Sequence, residues 1–302
     1  MKVPPRLENV LIATDFSRGA AAAIDRTGWL PLGVRPTLHV ANVMPADVPH
    51  KLKKQLTDRV KEELAAATAK LSTAVEKRTG QRVKILPAVL RGEPFVEIIR
   101  YARRQGVGLI VIGRHGRRAV RDLFIGSTAE RVVRNGDIPV LLANRPASRP
   151  YLRPLAAVDF SDTSRRVVEL ALALTETETR SMTLLHAYEV PFEGVVSWSW
   201  SERVMAEYRR ECEEAAAGAA KQFLTALDAL DVPIRVVVRP GDPRNVIAGE
   251  LPRRRSDLVV VGTHARSGLA HTLLGSVAEW VIRSARCDVG VTRPARFSFE
   301  LP

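Results

Sequence analysis

The chain has 302 residues, of which 46% are hydrophobic and 26% charged, and its formal net charge is +13. That length suits two domains that each bury a core, and no stretch of about 18 uncharged apolar residues is present to cross a membrane. The two cysteines, Cys212 and Cys287, stand in unrelated contexts without C-x-x-C spacing, which argues against a disulfide framework or a thiolate metal site.

The opening residues lack the apolar run and small-residue cleavage site of a signal peptide, so the expected compartment is the cytoplasm. Charge is uneven: residues 1–150 hold 27 Lys and Arg against 13 Asp and Glu, whereas residues 151–302 hold 19 against 20. A basic first half attracts any polyanion, so ATP, a nucleic acid backbone and an acidic protein all fit the charge alone.

In chain order, short β-branched apolar runs alternate with longer helical patterns. Strands are predicted at 10–13, 37–43, 83–89, 109–112 and 140–142. Between the second and third, Leu52, Leu56, Val60, Leu64, Ala67 and Leu71 recur every three or four residues and predict a helix over 51–78. The strands read as continuous apolar runs, as they do when helices cover both faces of a parallel sheet. A second series follows in the same order, ending in a strand at 288–292. The predicted class is α/β, two tandem open doubly wound parallel sheets.

The second series copies the first. Ala13-Thr14-Asp15-Phe16-Ser17 returns as Ala157-Val158-Asp159-Phe160-Ser161 at an offset of 144, and Leu38-His39-Val40 as Leu185-His186-Ala187 at 147. Gly92-Glu93-Pro94 returns as Gly241-Asp242-Pro243, the block 109–113 as 258–262, and Gly126-Ser127 as Gly275-Ser276, all at 149. The offsets drift only upward, as small loop insertions would make them. Segment 144–150, rich in Pro, Arg and Ser, is the predicted linker between domains 1–146 and 151–302.

After the fourth strand comes Gly113-Arg114-His115-Gly116, then nine residues, then Gly126-Ser127-Thr128 opening a helix. Glycines let backbone pass close to a phosphate or take positive φ. A helix N-terminus bearing Ser127 and Thr128 offers N–H groups, hydroxyls and the positive end of the dipole to an anion. Taken singly, such a glycine only permits a turn and Ser127 only caps its helix; together, at the spacing G-x2-G-x9-G-[ST], they favour phosphate. Asp15 follows the first strand, where a carboxylate can accept from ribose hydroxyls or help Ser17 cap the next helix.

This spacing resembles the ATP-binding signature of the universal stress protein family, and with Asp15 and the repeat the resemblance covers nearly all of both halves. It implies five strands per copy in the order 3-2-1-4-5, with the first and fourth neighbours where strand order reverses, the place where open α/β sheets bind ligands. It implies ATP, with or without Mg²⁺, held by Ala13, Thr14, Asp15, Val40, Gly113, Arg114, Gly116, Gly126, Ser127 and Thr128, the backbone near Ala13 and Val40 lining an adenine slot. It also implies that the edge strands 139–143 and 288–292 pair, giving an internal pseudo-dimer and leaving a homodimer open.

The second copy retains Asp159, Gly262, Gly275 and Ser276, but Ala265 replaces the second glycine and Ala187 replaces Val40. A Cβ where positive φ or phosphate contact is needed weakens binding, so the first copy is the expected binder. Arg114, Arg117, Arg118 and Arg121 fall in the first copy's loop, either meeting triphosphate oxygens or facing solvent. His115 reads as loop packing, and His39 and His186, at matching places in strands, as core residues. Arg253, Arg254 and Arg255 read as a solvated helix end, and the aromatic segment 188–208 as a satellite core in preference to an interaction surface or a lid.

No zinc spacing, G-x-S-x-G elbow, Walker lysine or kinase signature is present, so neither a catalytic nor a metal residue is assigned. The leading expectation is an ATP-binding stress-response module with no or very slow hydrolysis. Its alternatives are a basic nucleic-acid or protein interaction module independent of ATP, and a hydrolase or nucleotidyl transferase with Asp15 as its sole assignable base.

Overall fold

The computed structural model describes residues 6–114, 126–176, 182–196, 198, 200–227, 233–263, 274–294 and 300–301. The first copy runs β1 (Leu7–Ala13), α1 (Arg18–Thr27), β2 (Leu32–Met44), α2 (His50–Thr79), β3 (Lys84–Arg91), α3 (Pro94–Arg104), β4 (Leu109–Gly113), α4 (Ser127–Asn135), β5 (Val140–Ala143). The second runs β6 (Pro154–Ala157), α5 (Asp162–Ala173), β7 (Met182–Tyr188), α6 (Glu193–Val196), α7 (Glu202–Ala226), β8 (Ile234–Pro240), α8 (Pro243–Arg253), β9 (Leu258–Gly262), α9 (Ser276–Ser284), β10 (Asp288–Thr292).

The strands form one sheet in the order β3-β2-β1-β4-β5-β10-β9-β6-β7-β8. Every pairing is parallel except β5 with β10, where Val140, Leu141 and Leu142 oppose Val291, Gly290 and Val289. Both sheet faces are covered, which is why the strands show no polar alternation. On β1, Val10 and Ile12 join the cluster built with α1 and α2, while Leu11 and Ala13 join the one built with α3 and α4. Each cluster continues into the second copy, so the core does not stop at the junction.

Two expectations change. On α2, Val60, Leu64, Leu71 and Val75 are buried, but Leu52 and Leu56 are 54% and 36% exposed, because the helix overruns the sheet it covers. The aromatic segment is no satellite core: Phe192 is 75% and Trp198 82% exposed, and the segment's second part forms the first turns of α7. Trp200 meets only Tyr208 edge-on at 5.6 Å among the described rings, and Tyr208 donates to the Pro191 carbonyl.

The linker is anchored. The Asn144 N–H donates to Asp288 Oδ1, and its Nδ2 to the Arg286 carbonyl. Tyr151, 1% exposed, donates to Asp288 Oδ2 and lies under the Arg26 guanidinium, 4.0 Å from its centroid. Arg26 Nε reaches the same carboxylate at 2.8 Å. Burial and the adjacent Asp288 hold the Tyr151 hydroxyl neutral, well above its ordinary range.

Candidate nucleotide site

Strand β1 has β2 on one side and β4 on the other, the arrangement at which open α/β sheets bind ligands beyond the carboxyl ends of their strands. Ala13 pairs with Ile112, which brings Thr14 and Asp15 level with Gly113 and Arg114. The turn after β1 is fixed from several directions. Thr14 N–H donates to Ala41 O, Asn42 Nδ2 donates to Thr14 O, and Ser17 N–H donates to Asp15 Oδ1 at 3.0 Å. These bonds hold Phe16 at φ 60°, a left-handed conformation unfavourable for a bulky residue. Phe160 repeats it at φ 60°, with Ser161 N–H and the Ser161 and Ser164 hydroxyls donating to Asp159 Oδ1. Asp15 and Asp159 thus both shape the turn they open, and Ser17 caps α1 through the Ala20 N–H.

Helix α4 opens differently. Its cap position falls on Gly126, whose N–H donates to Arg114 O, and among the described residues no side chain caps the first turn. Ser127 and Thr128 are therefore the first helical residues, and their N–H groups are orphans of the helix end. Helix α9 repeats this with Gly275 capping and its N–H bound to Thr263 O. By contrast, Asp242 caps α8 through the N–H groups of Arg244 and Asn245.

Gly113 has a packing reason as well: a Cβ there would overlap the Gly19 carbonyl on α1. Arg114 departs from the place given it among the phosphate contacts. It is 4% exposed, and its guanidinium donates to Ala285 O and Arg283 O at the end of α9. Orphan carbonyls of a helix end attract a buried cation, and spacing along the chain could not reveal partners about 170 residues away. Burial lowers the Arg114 pKa. Arg293 makes the reciprocal contact, donating to Val133 O and Arg134 O at the end of α4, and burial with Arg134 nearby lowers it to about 10. No feature of the sequence marked Arg293.

Val40 is buried in the ladder opposite Ile12, and Ala41 and Asn42 bind the turn directly. Gly116, Ala265, His115, Arg117, Arg118 and Arg121 lie outside the described residues. His39 is 2% exposed, its Nδ1 2.9 Å from the Tyr101 hydroxyl, and burial lowers its pKa. His186 Nδ1 lies 2.9 Å from Val158 O.

In the second copy the crevice is a cavity of about 160 Å³, lined by Ala157, Val158, Asp159, Ala187, Gly262, Thr263, Gly275, Ser276 and Val277 among others. These nine align, through the repeat, with Ala13, Thr14, Asp15, Val40, Gly113, Arg114, Gly126, Ser127 and Thr128. Val158 and Val277 stand where the first copy has threonines, so the second copy is less polar at these two positions. Among the described residues no three His, Cys, Asp or Glu side chains cluster to hold a metal, and no helix is long and apolar enough to cross a membrane.

The model of the universal stress protein family matches residues 6–144 and again 150–293. Universal stress protein Rv1996 of Mycobacterium tuberculosis (strain ATCC 25618 / H37Rv) is 29% identical over 222 residues, 71% of this chain and 67% of that protein. Universal stress protein MJ0531 of Methanocaldococcus jannaschii is 34% identical over 144 residues, 47% of this chain and 82% of its own. A universal stress protein structure from Archaeoglobus fulgidus, 20% identical, shares the fold with a TM-score of 0.65 over 95% of this chain and 98% of that one. With its two half-sheets, its paired turns after β1 and β6 and both halves matched, the chain belongs to the universal stress protein family and carries the family's domain twice.

Proposed function

We propose that the first copy, residues 1–146, binds ATP, with or without Mg²⁺, and that bound nucleotide sets the state of the molecule in a cytoplasmic stress response, with no or very slow hydrolysis. The observation that carries this reading is the uncapped start of α4 beside the carboxyl ends of β1 and β4. Phosphate oxygens would accept from the N–H groups of Ser127 and Thr128 and from their hydroxyls, and Asp15 would accept from ribose. Any Mg²⁺ would come in on the triphosphate. The second copy, residues 151–302, acts mainly as a fixed partner in an internal pseudo-dimer, a role supported by the β5–β10 pairing.

Titration calorimetry of Mg-ATP against the whole chain tests this. One site per chain is expected, weakened at least fivefold by Gly116→Ala, which copies the second half's alanine into the first and costs roughly 1 kcal/mol where positive φ is required. Absence of binding at millimolar ATP, with no nucleotide retained on purification, would reject the reading.

A further inference from the structure

Away from both crevices, a groove of about 680 Å³ runs between the copies, walled by the linker, the end of α8 and the turn from α9 into β10. Among the described residues six arginines line it: Arg26, Arg145, Arg149, Arg153, Arg255 and Arg286. Two carboxylates among the described residues line it, and both accept hydrogen bonds from the protein. Asp288 accepts from Arg26, Tyr151 and the Asn144 N–H, and Asp257 accepts from the N–H groups of Leu152 and Arg153. Arg26 is engaged with Asp288 and Arg149 O, and Arg153 Nε with Arg255 O. Arg145, Arg149, Arg255 and Arg286 are exposed, and none joins an ion pair among the described residues. Two carbonyls at the end of α9, Arg283 O and Ala285 O, which would repel an anion, already accept from Arg114.

At two of these positions the first copy carries no cation. Where the second copy has Arg286 the first has Asp137, and Trp280 stands where the first has the cation Arg131, so the exchange there runs the other way. Arg255 replaces Gly106, and both residues are left-handed, at φ 51° and 61°. An arginine with a Cβ is therefore held where glycine is the unstrained choice, and its side chain adds a cation to the groove.

We propose that this groove binds a linear chain of phosphates, the backbone of a single-stranded nucleic acid or an inorganic polyphosphate. The four unpaired cations come from three separate segments along an open groove, an arrangement that suits several phosphates in succession better than one. Guanidinium forks match phosphate oxygens in pairs, and the half-buried Trp280 in the wall supplies an aromatic surface for a base.

The test is fluorescence anisotropy of labelled dT12 on the full chain with ATP saturating, which separates this site from the crevices, with tripolyphosphate as competitor. Arg255→Gly should weaken dT12 about threefold or more while the melting temperature stays level or rises, since strain is removed together with the cation. Arg149→Gln/Arg286→Gln should weaken it about tenfold or more and lower the slope of log K against log salt by about 1.4, roughly 0.7 per lost contact with a single strand. Displacement by tripolyphosphate at comparable concentration assigns phosphates alone, whereas resistance to it, together with weakening by Trp280→Ala, assigns nucleic acid. Failure of both probes to bind, binding unaltered in both variants, or binding of polyglutamate alone would overturn the proposal.

Discussion

Asp288 shows how much one residue can hold. Its carboxylate, 4% exposed, ties α1, the linker and β10 together through Arg26, Tyr151 and Asn144. Asp288→Ala would leave the Arg26 guanidinium buried and unpaired, and should cost about 3 kcal/mol or more in urea denaturation. Asp242 carries a pH dependence of known sign. The Arg244 side chain, with the first N–H groups of α8, lowers its pKa from 3.8 to about 2. A carboxyl depressed in the folded state contributes stability above its unfolded pKa and loses it as pH falls through the folded value. The ionic part of the stability difference between wild type and Asp242→Ala should therefore be nearly full at pH 5, shrink below pH 4 and be lost only below pH 2, as read from denaturation curves at each pH. At this scale the sequence was legible where local chemistry decides, as in Ser17 capping α1, and illegible where the partner is remote, as with Arg114, Arg293 and Asp288.

Among the elements, the predicted strands of the first copy coincide in place with β1 to β5, because runs buried on both faces announce themselves without any partner. β2 extends to Leu32–Met44 and includes Pro36, beyond what an apolar run reveals. Phe192 and Trp198 are exposed against expectation because hydrophobic composition alone does not say which side of a loop meets the core. Helices α4 and α9 meet through a reciprocal set of ion pairs. Arg134 joins Glu279 at 3.1 Å and Arg283 joins Glu130 at 3.5 Å, while each arginine also pairs within its own helix. These groups are about a quarter to a half exposed, so each pair contributes only about 0.3–1 kcal/mol and weakens with salt. Glu279→Lys should lower stability by about 1 kcal/mol in 20 mM salt and by much less in 1 M, read by thermal melts at both.

For the whole molecule, continuous core clusters and the shared strand pairing predict one cooperative unfolding transition. The buried Arg114 and Arg293 are central to it. Arg114→Met/Arg293→Met strips both helix ends of their donors and should split the calorimetric transition in two, with the lower step several degrees below the wild-type midpoint. The tandem organisation was legible from the repeat, whereas joining of the half-sheets followed from family resemblance and not from periodicity, since an edge strand reads like any other.

Because β5 meets β10 antiparallel, the carboxyl ends of the two half-sheets point to opposite poles. Helix α4 starts at one pole and ends against Arg293; α9 starts at the other and ends against Arg114, the neighbour of Gly113. The molecule is thus geared like a crossed pair of levers: whatever displaced the Gly113–Arg114 backbone in one crevice would pull the tail of the helix whose head opens the other.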